Sequence, residues 1–446
     1  MMVPNFGIQC KAPAQPSGAH YAEAPHSAPD SHSAPDSIAR YLPHVRRCIP
    51  LCRLLLAGSL TLQPLAGYAE HVVGVFAPLT GPHAPLGRSL RNGVVLALEQ
   101  AEDGGRFGDV RLSIRTVDDS GPPKAVAERV TKFVRDEYAI LVIGPAVSTS
   151  AEAAADLANH LRFPLLAPGA SEGITATGKW AFRLTMSPYK TLHALAAQAF
   201  AAPAGAANTS SPLAGSRLGP RLALVHAKGN RGYASQAAEF RAAAVRTGAR
   251  VVGEFEVDVA SDFLSSTGAA VSDTAADTVF FAMDAEPGAA LAYAIAARSN
   301  AAPAANTPAR RPLFVFSPGA AQPALTRIGG AAVEQALTAA DYLPEARSEA
   351  NVQFRAAYQA RFGESANAWA GIGFAAGQLA TEAIRNAGPN PTPETVRLAL
   401  ERVNGIQLLI GRGPWQQDAE RNPAYAPQLY VVRDGTLAPI SPEGLR

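Results

Sequence analysis

The sequence predicts an α/β protein built as two doubly wound, Rossmann-like lobes, and three observations carry that prediction. From residue 71 onward, short apolar runs rich in β-branched residues alternate with Ala-rich amphipathic stretches, the strand–helix rhythm of a parallel sheet. The rhythm breaks at a low-complexity stretch, AAPAGAANTSSPLAGSRLGPR (201–221), and then starts again, as a loop between two such units would make it do. The third is size: 446 residues, 48% of them hydrophobic, suffice for two or three domains with cores of their own and are too apolar for disorder over the whole length.

Taken in order, the elements begin after an address. Residues 1–44 are polar and Pro-rich and repeat HSAPDS at 26–31 and 32–37, a composition that builds no core. They read as a disordered extension or an overcalled start, with translation beginning near Val45. Residues 45–69 have the three parts of a secretory signal: the Arg46-Arg47 entry, an apolar stretch over Leu54 to Leu62, and Gly67-Tyr68-Ala69 for cleavage after Ala69. That stretch is shorter than the roughly 20 residues of a spanning helix. Cys48 and Cys52 precede it, which argues against a lipoprotein anchor.

Strands follow at VVGVFA (72–77), VRLSIRTV (110–117), AILVIG (139–144) and FPLLAP (163–168), several of them continuous apolar runs of the kind buried on both faces. Between them, 88–102, 122–137 and 150–162 place apolar residues three and four apart, one face of a helix. The second series has strands at 221–227, 249–257, 277–283 and 312–317 and helices near 233–247, 262–272 and 286–298, with a loop expected over 299–312.

Composition and motifs remove several functions. The net charge of +2 and the balance of acidic and basic residues from residue 70 onward leave no excess for binding nucleic acid. All three cysteines lie in the first 52 residues, so the folded part holds neither disulfide nor thiolate. His71, His83, His160, His193 and His226 are scattered singly, and no metal or other cofactor is expected. GASEG (169–173) fits the G-x-S-x-G elbow of hydrolases, which needs a helix directly after its serine. The Gly- and Thr-rich GITATGKW (173–180) reads instead as a loop. GIGFAAG (371–377) lacks the strand a dinucleotide fingerprint requires and reads as helix, with glycines allowing close packing.

Hydroxyl residues gather at strand ends. After AILVIG and the turn PAV, which ends at Val147, come Ser148, Thr149 and Ser150, opening a helix; Gly169, Ala170 and Ser171 end the next strand. Such residues cap helices. They also aim hydroxyls and free N–H groups where an anion such as a carboxylate binds, and the spacing leaves both readings open.

Three segments, VGVFAPLTGPHAPLGRSLRNGVVLALEQAEDGG (73–105), VDDSGPPKAVAERVTKFVRDE (117–137) and VIGPAVSTSAEAAADLANHLRFPLLAPGAS (142–171), resemble the branched-chain amino-acid-binding proteins of ABC transporters, and GPWQQDAERNPAYAPQLYVVRDG (413–435) resembles that family's closing strand segment. The resemblance is strong over 72–190 and weaker through the second lobe. It implies a type I periplasmic binding fold with a three-segment hinge, one lobe from 70–185 and 336–412 and the other from 186–335 and 413–446. It implies no enzyme but a monomeric periplasmic protein that closes on a small carboxylate or amino acid and delivers it to an ABC permease and its ATPase in the inner membrane. By motif, Ser148 matches the position holding the ligand carboxylate, Gly169 and Ser171 those holding the α-amino and carboxylate groups, and Tyr233 the tyrosine that closes over the ligand from the second lobe. Leu86 stands where a cleft tyrosine is common. The second-lobe Glu that pairs with the ammonium has no clear equivalent in VFSPGAAQ (315–322), so Asp284 or Glu286 is the candidate. The departures open the ligand class to deaminated or aromatic acids. Two competing functions are an amide-sensor-like ligand-sensing subunit and a serine hydrolase using Ser171.

Overall fold

The computed structural model describes residues 70–81, 83–200, 221–259, 262–301 and 311–440. The signal-like segment, the extension before it and most of the two expected loops lie outside them.

The first sheet is wholly parallel, with order β2-β1-β3-β4-β5. Its strands are β1 (Glu70–Ala77), β2 (Arg111–Asp118), β3 (Leu141–Ile143), β4 (Leu165–Ala167) and β5 (Ala181–Arg183), linked by α1 (Ala84–Asp103), α2 (Pro123–Glu137), α3 (Ser148–Leu161) and the short α4 (Gly173–Ala176). Alternation along the strands sorts two cores. Val73, Val75, Leu141, Ile143 and Leu166 pack with α1 and the later helices α10 (Glu349–Phe362), α11 (Ala368–Asn386) and α12 (Pro393–Arg402). Phe76, Val142, Leu165 and Ala167 pack with α2 and α3 on the opposite face. Side chains alternating across a strand with period two are what cover both faces with helices.

The second sheet has order β12-β11-β10-β9-β8-β6-β7. Its parallel part is β6 (Arg221–Ala227), β7 (Arg250–Val257), β8 (Thr278–Ala282), β9 (Leu313–Phe316) and β10 (Leu337–Ala339), extended by antiparallel β11 (Leu429–Arg433) and β12 (Thr436–Pro439). Helices α5 (Pro188–Phe200) and α6 (Arg231–Arg246) cover one face; α7 (Leu264–Asp273), α8 (Ala285–Ala301) and α9 (Pro323–Gly329) cover the other. Counted within its own lobe, the parallel part of this sheet repeats the order 2-1-3-4-5 of the first.

The predicted strands and helices are present within a few residues. Four expectations change. The helix expected over 88–102 starts earlier, at Ala84, so that Gly87 lies in the first turn of α1. GITATGKW, read as loop, opens with the helical turn α4. β10, expected within the first-lobe segment beginning at 336, pairs with β9 and β11 in the second sheet. The closing segment likewise stays with the first lobe longer than expected from 413. Trp415 and Tyr425 are buried in the core of that lobe beside Phe182 and Leu184, and the Arg421 guanidinium donates to the carbonyls of Thr175, Gly178 and Ala181.

GIGFAAG lies within α11, which runs unbroken against α1. A Cβ on Gly93 would lie 2.1 Å from the Ala370 carbonyl oxygen, and one on Gly373 2.1 Å from that of Leu90, so the two backbones touch where only glycine leaves room.

Candidate ligand-binding cleft

In a doubly wound sheet the crevice opens at the carboxyl ends of the strands, where chain order reverses. Here the reversal falls between β1 and β3 in the first lobe and between β6 and β8 in the second. The chain leaves the first sheet at the carboxyl end of β5 to enter α5, and leaves the second at the carboxyl end of β10 to enter α10. Both carboxyl edges therefore lie on the side where the lobes are joined.

In the first lobe, Gly144 has φ of +100°, and a Cβ there would come 2.0 Å from the Phe76 carbonyl. Glycine alone lets β1 and β3 close up at the reversal. Beyond it, Val147 is the extended N-cap of α3 and carries no capping side-chain bond. Ser148 is half-buried and Thr149 exposed, and the first helical hydrogen bond runs from Ala151 N–H to the Val147 carbonyl. The amides of Ser148, Thr149 and Ser150 thus sit in the first turn, where no intrahelical acceptor exists, at the positive end of a 14-residue helix.

Beside this turn lies an apolar wall. Ala77, Leu90 and Ala146 are buried, and Leu79, Leu86, Trp369 and Ile372 pack on them. Trp369, from the start of α11, was invisible to a reading by motif because it is close to the reversal only in three dimensions. The wall's loop is pinned by Asp118, whose carboxylate accepts from Leu79 N–H at 2.8 Å, the Thr80 hydroxyl at 2.7 Å and the Ser120 hydroxyl at 2.7 Å. Burial opposes its ionisation, but these bonds outweigh burial and hold its pKa well below the usual carboxylate range. Asp119 is the converse: burial first, then the Asp118 charge, pushes it up to about 7.

The end of β4 adjoins α3: a Cβ on Gly169 would lie 3.4 Å from the Ala146 carbonyl and 3.7 Å from Ala151 Cβ. The Ala170 carbonyl accepts from Arg183 at 3.2 Å. Arg183 is buried, its Nε lacks a partner, and burial lowers its pKa against the pull of Glu172. The Ser171 hydroxyl donates to the carboxylate of Glu152 and accepts from Gly173 N–H at 3.2 Å. Although a helical turn does follow Ser171, its partner is a carboxylate and not the imidazole of a serine hydrolase.

In the second lobe, the Asn230 side chain caps α6 by accepting from Tyr233 N–H at 3.1 Å. The Tyr233 hydroxyl then crosses from the end of β6 to the end of β8, donating to Asp284 at 2.5 Å. Burial first, then that bond, raises the Tyr233 pKa. A Cβ on Gly319 would sit 3.3 Å from the tyrosine oxygen, so the turn after β9 abuts it. Glu286 points to Arg327 at 3.6 Å. Of the two acidic candidates, Asp284 is the one bonded across the strand-order reversal.

The residues singled out in the sequence therefore collect at three strand-end sites: Leu86, Val147, Ser148 and Thr149 at the first reversal, Gly169, Ala170 and Ser171 at the adjoining strand, Tyr233 and Asp284 at the second reversal. Among the described residues no group of three or more His, Cys, Asp or Glu could hold a metal.

Two lobes of identical strand order, joined by three chain crossings and each ending in donors at its reversal, define a type I periplasmic binding fold. The chain belongs to the periplasmic binding protein family, whose model matches residues 71–434. It is 34% identical over 93 residues to the Leu/Ile/Val-binding protein BraC3 of Rhizobium johnstonii, covering 21% of this chain and 25% of that protein. The chain thus aligns with about a quarter of the length of that curated relative. Among solved structures, the leucine-binding protein LivK of Thermotoga maritima superposes with a TM-score of 0.63 at 18% identity, covering 83% of this chain and 98% of that one. An R. palustris solute-binding protein in complex with benzoate gives 0.63 at 20%, covering 83% and 96%.

Proposed function

We propose that this chain is the periplasmic solute-binding protein of an ABC transporter, capturing a small carboxylate between its lobes and delivering it to a membrane permease and its ATPase. The observation that carries the reading is the first turn of α3: three amides without intrahelical acceptors and the half-buried Ser148 hydroxyl at the reversal of one sheet, beside the apolar wall of Leu79, Leu86 and Trp369. A carboxylate satisfies those amides and the helix dipole, and the wall takes an apolar side chain or ring. Relatives named for leucine, isoleucine and valine, and a similar structure holding benzoate, fit that combination. Tyr233 and Asp284 close from the other lobe by hinge motion.

A thermal-shift panel of leucine, valine, isoleucine, their 2-oxo acids and benzoate tests this, because a ligand that binds only the native state raises the melting temperature by mass action. Stabilisation by at least one member is expected; none across the panel would refute the carboxylate reading. Permease and ATPase genes beside this one would favour transport over the sensing role of an amide-sensor-like protein.

Export follows from the same reading. β1 opens at Glu70, directly after the Gly67-Tyr68-Ala69 cleavage pattern, and among the described residues no helix is long and apolar enough to cross a membrane. Mass spectrometry of the exported protein should find Glu70 at its amino terminus, whereas a retained apolar segment with salt-resistant membrane association would contradict it.

A further inference from the structure

We infer that Glu152, a residue of α3 given no role above, sets the chemical class of the ligand by fixing the polarity of Ser171, and that it selects a primary ammonium. The inference rests on the cleft reading above and deepens it. In the Ser171–Glu152 bond the hydroxyl donates and the carboxylate accepts, as an ionised carboxylate can only accept. One lone pair of the Ser171 oxygen is taken by Gly173 N–H at 3.2 Å. What remains is a single acceptor site on an oxygen polarised by a full negative charge. Such an oxygen repels a ligand carboxylate and attracts a ligand N–H.

The carboxylate is held in place. The half-buried Glu152 packs on Gly173, where a Cβ would fall 2.8 Å from its Oε1. It forms no ion pair with any cation among the described residues. The next carboxylate along, Glu172, accepts from the Ser187 hydroxyl. The buried cation bonded at this strand end among the described residues, Arg183, reaches the Ala170 carbonyl instead. The end of β4 is therefore an electronegative site short of a cation, one strand away from the anion-seeking first turn of α3. Adjacent sites of opposite polarity suit a zwitterion, and the negative charge that an ammonium needs comes from the first lobe through Ser171. Glu152 acts as a positioning residue, and Ser171 makes the contact.

Calorimetric titration of the full folded protein with leucine and with its 2-oxo acid, for wild type, Glu152→Gln, Ser171→Ala and the double variant, tests the assignment. Glu152→Gln keeps the shape and removes the charge. It should weaken leucine binding by about tenfold or more, the effect of one lost hydrogen bond to a charged group, and leave the 2-oxo acid unchanged or tighter. Ser171→Ala should cost leucine a similar factor, and the double variant little more, because the two act through one contact. Equal loss for both ligands, or no loss, overturns the role of Glu152 while the cleft reading stands. Wild type that binds the 2-oxo acid in preference to leucine overturns it as well. Binding of neither ligand removes the cleft reading and the inference with it. Melting curves of each variant without ligand separate misfolding from lost affinity, and the ratio of leucine to 2-oxo acid affinity is a readout that general loosening of the fold does not move.

Discussion

At Ser148 a structural role and the proposed binding role make different predictions. A serine opening a helix is ordinarily a cap, and losing a cap costs about 1 kcal/mol of stability. Here Val147 occupies the N-cap and no side chain bonds the first-turn amides, so Ser148→Ala should leave the melting temperature without ligand nearly unchanged. If the hydroxyl donates to a ligand carboxylate, the same variant loses about 10- to 150-fold in affinity, the equivalent of roughly 1.5–3 kcal/mol. A weakened fold with undiminished affinity, seen by melting curves and calorimetry together, would return Ser148 to capping. The strand-end hydroxyls were legible in the sequence because they follow apolar runs directly. Glu152 and Trp369 were not, because what makes them neighbours of the site is the azimuth of α3 and the docking of α11 on α1. Asp284 and Glu286 likewise differ in their partners, Tyr233 for one and Arg327 for the other, and partners across different strands and helices leave no trace in local spacing.

At the scale of elements, periodicity located β1 to β4 and β6 to β9 with the helices between them, because runs such as AILVIG and FPLLAP are short, rich in β-branched residues and buried on both faces, whereas β5, β10, β12 and the helices α5, α9, α10 and α12 were not placed by it. The boundaries that shifted are those decided by tertiary contact. β10 is three residues long and gains its identity by pairing between β9 and β11. The segment carrying Trp415 stays with the first lobe because that is where its indole is buried. The α1–α11 interface joins the two levels. GIGFAAG reads in the sequence as a helix whose glycines allow close packing, and the 2.1 Å that a Cβ on Gly373 would leave to the Leu90 carbonyl oxygen shows that this glycine serves the helix pair. Gly373→Ala should therefore be far worse than an ordinary glycine-to-alanine change, which in a helix is favourable by up to about 1 kcal/mol. Pushing two backbones apart costs about 1–3 kcal/mol or more, so urea unfolding should show a lower midpoint with an unchanged slope. A variant as stable as wild type would mean that α11 can slide on α1.

For the whole molecule, the three crossings between lobes converge on one carboxylate. Asp341, on the crossing after β10, accepts from Met186 N–H at 3.2 Å on the crossing after β5 and from the Tyr425 hydroxyl at 3.0 Å on the last. Its own carbonyl accepts from Gly411 N–H at 2.7 Å. Burial pushes its pKa up to about 6, more than the Met186 and Tyr425 bonds and the Arg183 charge can pull it down. A carboxyl whose folded pKa lies above its unfolded value of about 4 binds its proton more tightly in the native state. Its contribution to stability is then full below pH 4 and declines as the pH rises from about 4 to about 6. Asp118, held low, works in the opposite sense at more acid pH, and Asp119, raised to about 7, adds a decline of its own, so the wild-type pH profile alone does not isolate the hinge. The difference between wild type and Asp341→Asn does, since asparagine can keep accepting from Met186 and Tyr425 through its oxygen but never ionises. Relative to wild type, the variant should gain on the order of 2 kcal/mol between pH 4 and pH 8, from about 1.4 kcal/mol per unit of raised pKa. Melting curves at pH 4, 6 and 8 measure it. A difference that stays flat across that range would mean that the Asp341 carboxyl is solvated well enough to ionise freely, leaving the hinge held by the backbone and Tyr425 alone.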